Sequence, residues 1–265
     1  MKKIFMLSTV VMISAMFFSS QIVTAAGPIN LAGANNFAIL ANTYTNTAGG
    51  VVLNGDVGYT TPPAVAPTIS GSTHVADAAY TQAGIDQGTA LTALNTPPCD
   101  FTFGAATDLS LLSQPLLPGV YCVTGAQSIG SLITLNGAGT YIFRSIGALN
   151  TAANSHVVLE NGADACNVFW APTGATTLGA TSNFVGTDID NAGITIGGTV
   201  SWVGRALDFA TIVSTGPAVH IIVPQCSTTS IPDFPFSFSL IIMFVAVAAV
   251  YMGVRQKMIP GFKSF

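Results

Sequence analysis

Residues 178–219 read LGATSNFVGTDIDNAGITIGGTVSWVGRALDFATIVSTGPAV, and their internal spacing decides the fold class. Leu178, Ile196 and Val213 fall in one apolar column; Phe184, Trp202 and Val219 fall in a second, six residues later, at steps of 18 and 17 residues. Leu149 begins a looser copy, with Val157 rather than Ser155 as its inward residue. Gly, Ser, Thr, Asn and Ala separate the columns. Each such repeat is too small to bury its apolar face alone and does so by stacking on its neighbours, so the pattern reads as coils of a β-solenoid. A β-sandwich is the alternative, since it also strings short strands between turns.

Working outward, Phe37-Ala38-Ile39-Leu40 and Val51-Val52-Leu53 are short apolar pieces, followed by a Pro-rich loop over 60–67, which fits strands and turns. One segment differs. Over 73–95, Ala76, Ala79, Tyr80, Ala83, Gln87, Ala90, Leu91 and Leu94 recur at helical spacing, with Ser72 or Thr73 as N-cap and Pro97-Pro98 as the stop. This predicts one amphipathic helix whose alanine-rich stripe allows close approach to a wall of strands.

The ends suggest export and anchoring. Lys2 and Lys3 precede an apolar run over 4–18, and Val23-Thr24-Ala25 or Thr24-Ala25-Ala26 offers a cleavage site, so 1–26 read as a signal peptide. After a linker at 227–233, residues 234–254 are a nearly charge-free stretch long enough to span a bilayer. Arg255, Lys257 and Lys263 in the 255–265 tail would stay on the cytoplasmic side, leaving the body outside. Ile231-Pro232-Asp233-Phe234-Pro235 also resembles the start of a processed sorting tail, which would release a secreted or lipid-linked form. The expected location is the cell surface, with the membrane as partner through the C-terminal helix.

The body, 27–226, has only Arg144 and Arg205 as basic residues against nine Asp and Glu160, a balance of −8 that repels phosphate backbones and excludes a nucleic-acid partner. Cys99, Cys122, Cys166 and Cys226 lack metal or redox spacing, and an even number in an oxidising compartment predicts two disulfides in one of three connectivities. Neither a metal nor a cofactor is expected.

Between the columns lie Thr151-Ala152-Ala153-Asn154, Ala180-Thr181-Ser182-Asn183, Gly198-Thr199-Val200-Ser201 and Thr215-Gly216-Pro217-Ala218. Stacked coils would put Thr151, Ala180, Gly198 and Thr215 in one file and Asn154, Asn183, Ser201 and Ala218 in another. With strands about 4.8 Å apart, these files would form a flat, uncharged lattice suited to another ordered surface. Small residues that simply serve turns are the plainer reading. Thr43-Tyr44-Thr45-Asn46-Thr47 is a second candidate patch, and 26 Thr among 200 residues can populate more than one face.

The segments Asn36-Phe37-Ala38-Ile39-Leu40-Ala41, Leu53-Asn54-Gly55-Asp56-Val57-Gly58, Leu117-Pro118-Gly119-Val120-Tyr121, Asn167-Val168-Phe169-Trp170 and Val203-Gly204-Arg205-Ala206-Leu207 resemble, in order, those of the microbial ice-binding-like β-solenoid family. The resemblance implies a mainly β fold, an irregular right-handed parallel β-helix with one long α-helix packed alongside. It also implies ice binding through a flat face bearing a Thr-Ala/Gly-x-Thr/Asn pattern. Thr151-Ala152-Ala153-Asn154 matches that pattern; Ala180 and Gly198 replace the leading Thr, and Thr215-Gly216 ends in Ala218. It further implies that Cys166 and Cys226 clamp the last coils, leaving Cys99 with Cys122.

Asp188 and Asp190 alternate along a strand, as paired catalytic carboxylates or calcium ligands would; a solvated turn explains them more simply. Arg205 reads as a structural ion pair with Asp208 or Asp190 rather than an anion clamp. Ala126-Gln127-Ser128-Ile129-Gly130 misses the nucleophile elbow at its first Gly, and no Walker, zinc-protease or EF-hand motif occurs. The sequence therefore points away from an enzyme, toward an anchored ice-binding protein or, alternatively, an adhesin for polysaccharide, mineral or protein.

Overall fold

The structure, a computed structural model, describes residues 29–226. The signal peptide, linker, membrane span and basic tail expected at the ends lie outside the described residues. Among the described residues no helix is long and apolar enough to cross a membrane.

Every strand pairing is parallel, so the chain winds as a solenoid and not as a sandwich, whose sheets are antiparallel. Three faces result. The first carries β6 (Phe101–Phe103), β8 (Gly119–Val123), β11 (Tyr141–Ser145), β14 (Val168–Pro172), the end of β16 (Asn183–Ile189) and the middle of β18 (Ser201–Thr215). The second carries β7 (Thr107–Asp108), β9 (Gln127–Ile129), β12 (Leu149–Thr151), β15 (Thr176–Leu178), β17 (Ile194–Ile196) and the end of β18. The third carries β10 (Leu132–Asn136), β13 (His156–Glu160), the starts of β16 and β18, and β19 (His220–Ile222).

The N-terminal strands do not begin this stack; they finish it. β1 (Phe37–Asn46) pairs with β18, and β2 (Val52–Asn54) with β19, and then β3 (Asp56–Tyr59), β4 (Thr68–Ile69) and β5 (Thr73–Val75) extend the stack further. Helix α1 (Ala78–Asn95) then leads back to β6 at the opposite end.

The repeat columns are correct at Leu178 and Ile196 and at Phe184 and Trp202, which are register partners. They slip by two in the next coil, where Ile196 pairs with Thr215 and Trp202 with Ile221, not with Val213 and Val219. A strand's side chains alternate with period two, so Val213 and Thr215 both point inward, and the apolar one masks the true partner. Thr215 is tolerated inside because its hydroxyl meets the buried Tyr44 hydroxyl at 3.1 Å. Burial pushes the Tyr44 phenol up to about 12, although the Thr215 hydrogen bond opposes the shift.

Large rings line the interior: Phe101, Tyr121, Phe143 and Trp170 stack from coil to coil on the first face with centroids 4.5, 5.0 and 4.2 Å apart, and Trp170 meets Phe184 tilted and Phe184 meets Trp202 edge-on, each at 5.1 Å. Such pairs add about 0.5–1.5 kcal/mol each beyond the area they bury. The Trp170 and Trp202 indole N–H groups donate to the carbonyls of Val185 and Gly186, so neither buried ring leaves a polar atom unpaired. Gly204 is required where the coils approach most closely, since a Cβ there would collide with the Gly186 carbonyl.

Helix α1 buries Tyr80, Ala83, Gln87, Ala90 and Leu94 against Leu40, Val120, Ile142, Phe169 and Leu207 of the first face, as the alanine stripe predicts. Its start is later than expected: Asp77 is the N-cap, accepting from the Tyr80 amide at 2.8 Å, because Thr73–Val75 is drawn into β5 by β3. At the far end Cys99 and Cys122 form a disulfide, as the resemblance implied, and no described cysteine is free. The Arg144 guanidinium caps α1, donating to the carbonyls of Asn95 and Pro97, each at 2.8 Å.

Trp202→Ala should cost about 3–5 kcal/mol, a fall of roughly 10 °C in the midpoint of thermal unfolding followed by circular dichroism.

Candidate functional site

With α1 over the first face, no described helix covers the other two. On the second, each strand triplet points its outer residues inward and its middle one outward. The middle residues run in unbroken register: Ser128, Asn150, Thr177, Thr195, Ser214 and Thr45. Asn150, Thr177 and Thr195 are exposed, while Ser128, Ser214 and Thr45 are half-buried. Thr45 donates to Ser214 at 2.6 Å, so the N-terminal Thr43–Thr47 patch joins this file instead of forming its own.

The file is flanked by small residues over most of its length, Ala126, Ala148, Ala175 and Gly193 before it and Gly130, Ala152, Gly179, Gly197 and Gly216 after it, with Ile212, 40% exposed, and Thr43 taking the leading flank in the last two coils. A Cβ on Gly197 would lie 2.7 Å from the Ala180 amide nitrogen, so these coils stack more tightly than a larger residue allows. The result is a flat strip of hydroxyl, amide and methyl groups with no charge between Ser128 and Thr45. Asp108 ends the strip, but its carboxylate turns back to accept from the Gly130 and Ser110 amides at 3.0 and 2.9 Å. Burial raises its pKa, and these hydrogen bonds outweigh that and hold it below the usual value.

The third face is different. Its outward positions include His156, Glu160 and His220, and three branched or long aliphatic side chains, Leu132, Val158 and Ile222, are 49, 38 and 44% exposed.

The residues expected from the sequence divide among three places. Thr151 and Thr215 belong to the second face but point inward, 8 and 6% exposed. Asn154, Ala180, Gly198 and Ala218 lie at the corner between the second and third faces. Asn154 and Ala218 are left-handed there (φ 59 and 53°), equivalent to Thr181 and Thr199 (φ 60 and 57°). Asn183 and Ser201 are true register partners, on the third face. The structure therefore does not assemble the two expected files. What sequence reading missed was Thr177, Thr195, Ser214 and Asn150, and the signal for them was present in the triplets Thr-Thr-Leu, Ile-Thr-Ile, Val-Ser-Thr and Leu-Asn-Thr, whose middle residue must face out.

The catalytic candidates also resolve. Asp188 and Asp190 are not in a solvated turn; both are wholly buried, as is Asp208. Arg205 does not pair with either Asp190 or Asp208: its guanidinium donates to the Asn35 carbonyl at 2.6 Å, the Asn35 side chain at 2.9 Å and Thr187 at 3.2 Å, tying β18 to the segment before β1. Burial lowers its pKa to about 10. Among the described residues no group of three His, Cys, Asp or Glu side chains is placed to hold a metal.

The family model described as Ice-binding-like matches residues 18–215. The chain belongs to that family. The ice-binding protein of Flavobacterium frigoris is 32% identical over 186 residues, covering 63% of this chain and 66% of that protein, just under two thirds of its length. The ice-binding protein of a Nostoc species is 30% identical over 194 residues, 68% of this chain and 69% of that one. The crystal structure of an ice-binding protein from the Antarctic ascomycete Antarctomyces psychrotrophicus superimposes with a TM-score of 0.69 at 29% identity, over 75% of this chain and 100% of that one. These relatives are named as ice-binding proteins, not enzymes.

Tyr at Thr151 or Thr215 should destabilise the domain by about 1–3 kcal/mol or more through overpacking, whereas Tyr at Thr177 or Thr195 should stay within about 0.5 kcal/mol of the parent; chemical denaturation of the four variants checks this.

Proposed function

We propose that this protein binds ice, and that the second face is its binding surface. The observation that carries the reading is the uncharged file from Ser128 to Thr45, repeated at the strand spacing of about 4.8 Å and bordered by Ala and Gly along the coils from β9 to β17. Ice is a periodic array of water, so a surface that matches it must be periodic, rigid and free of strongly hydrated charge. Parallel coils supply the period, and stacked rings behind the face supply the rigidity. Hydroxyls hold water in fixed positions, and threonine methyl groups exclude competing arrangements. Because the face is pre-organised, little ordering cost is incurred on contact. The names of the relatives support the same partner.

The body is proposed to act at the cell surface, held there by 234–254, whose hydropathy and trailing basic residues are the support. A tethered domain would hold a cell to ice. Fractionation of cells expressing the full chain should place it with membranes; release of a soluble form would instead favour the processed tail.

Purified protein offered to a slowly growing ice hemisphere should be incorporated and should facet single crystals. Thr177→Tyr and Thr195→Tyr should abolish both effects while Asn183→Tyr and Ser201→Tyr on the third face retain them. Loss confined to the third-face pair would move the site there, and exclusion of the folded parent from ice would favour an adhesin for polysaccharide or protein.

A further inference from the structure

Three buried aspartates occupy neighbouring positions on adjacent coils where the first face turns into the second. Asp188 pairs in register with Trp170 on one side and Ala206 on the other. The Asp190 amide bonds the Leu207 carbonyl, which sets Asp190 beside Asp208 of the next coil. All three are wholly buried.

Well-formed hydrogen bonds reach only two of them. Asp190 accepts from the amides of Thr176 (3.0 Å), Asn191 (2.6 Å) and Ala192 (2.7 Å). Asp208 accepts from the Thr211 amide at 2.9 Å and from the Thr211 hydroxyl. Neither oxygen of Asp188 makes a well-formed hydrogen bond; the buried Thr176 hydroxyl is its nearby donor and lowers its pKa, by less than burial raises it. Among the described residues no cation pairs with the group. From β14 the neighbour is Trp170, from β15 Thr176, from β18 Ala206 and Asp208, from β1 Ala41 opposite Asp208, and from α1 the neutral amide of Gln87. Among the described residues the ion pairs all involve His74, with Asp56 and Asp77, not these residues. A buried carboxylate with no well-formed hydrogen bond and no cation beside it is costly as an anion, so burial favours the protonated form of Asp188.

The corner also joins two functional parts. Gln87 of α1 donates to the Asp190 carbonyl and accepts from the Phe209 amide, and the Asp190 carboxylate holds the amides of Thr176 and Ala192, which lead into β15 and β17 of the second face.

We propose that Asp188, Asp190 and Asp208 form a proton-dependent latch: while Asp188 keeps its proton the corner stays closed, and when it is lost the carboxylates repel and loosen both α1 and the start of the second face. The directions agree. Burial raises Asp188 well above its usual range, with Asp190 adding to the effect, and burial likewise raises Asp190 to about 6 and Asp208 upward. A carboxyl whose folded pKa is raised contributes stability that is complete below the unfolded value, about 4, and is lost as pH rises through the folded value. For Asp190 that window runs from about 4 to about 6, and Asp188 extends it upward. Asp77 and Asp108, whose pKa values are lowered, act in the opposite sense and remove stability at more acid pH, so the optimum lies on the acid side of neutral.

The test uses the full chain and its two tryptophans, one of them Trp170 in register with Asp188. The unfolding midpoint followed by tryptophan fluorescence should fall by at least about 5 °C between pH 5 and pH 9. Asp188→Asn, which keeps a neutral donor, should flatten the profile, matching the parent near pH 5 and exceeding it at pH 9. A flat parent profile, or a variant lower than the parent at every pH, overturns the latch. If Asp188→Asn does not fold, infrared difference spectra of the parent decide: a protonated-carboxyl band that persists at pH 7 and disappears at high pH together with the fluorescence change is expected, and its absence at pH 7 overturns the proposal. Neither readout involves ice, so the outcome is independent of the ice-binding reading.

Discussion

Everything in this molecule depends on parallel strands stacking in register at a fixed repeat. Once two coils are paired, each inward side chain is placed directly over its counterpart, so the interior is a set of columns rather than a jigsaw. The column Phe101, Tyr121, Phe143 and Trp170 on the first face shows the consequence: flat rings fill the repeat because they can stack at 4.2–5.0 Å without shifting the strands. The same constraint that orders the inside orders the outside. Thr177, Thr195 and Ser214 form a file because Thr176, Ile194 and Val213 do.

The faces differ in use because they differ in cover. Helix α1 seals the first face with Tyr80, Ala83, Ala90 and Leu94, small enough at its centre to lie flat on the strands. Gly84 lets the Phe209 ring press into the helix, where it meets Tyr80 at 4.8 Å. Arg144 and the Cys99–Cys122 disulfide fasten the helix at one end, and the Asp77 cap and the His74–Asp77 contact of 2.9 Å at the other. A helix clamped at both ends stiffens the wall that stands behind the other two faces.

Much of this was legible in the residues, and the failures have physical causes. Local periodicity revealed α1 and its buried stripe, because a helix's pattern lies within one segment. Its first turn was misplaced because the pairing of Thr73–Val75 with β3 is a tertiary event with no local trace. The solenoid showed in Leu178 and Ile196, Phe184 and Trp202, yet the next coil slipped by two where a buried Thr215 answers Tyr44 from far away in the chain. That slip carried the expected face with it, placing inward residues and corner residues in files they do not share. Asp188 and Asp190 looked solvated because charge is ordinarily outside. Nothing in their neighbourhood announces that Asp208 of the next coil shares their buried corner.

The joining of β1 to β18 ties residues near position 40 to residues near position 210. A chain made from its N-terminus thus produces the upper coils first and the strand they rest on nearly last. Until then β1 has no neighbour on one edge, and the largest sequence separations in the fold must close in its final step. Such a topology is slow to fold, because long loops close before their contacts repay them. It also makes the finished stack all-or-none at that end: a chain cut short before β18 loses the seat of its own first strand.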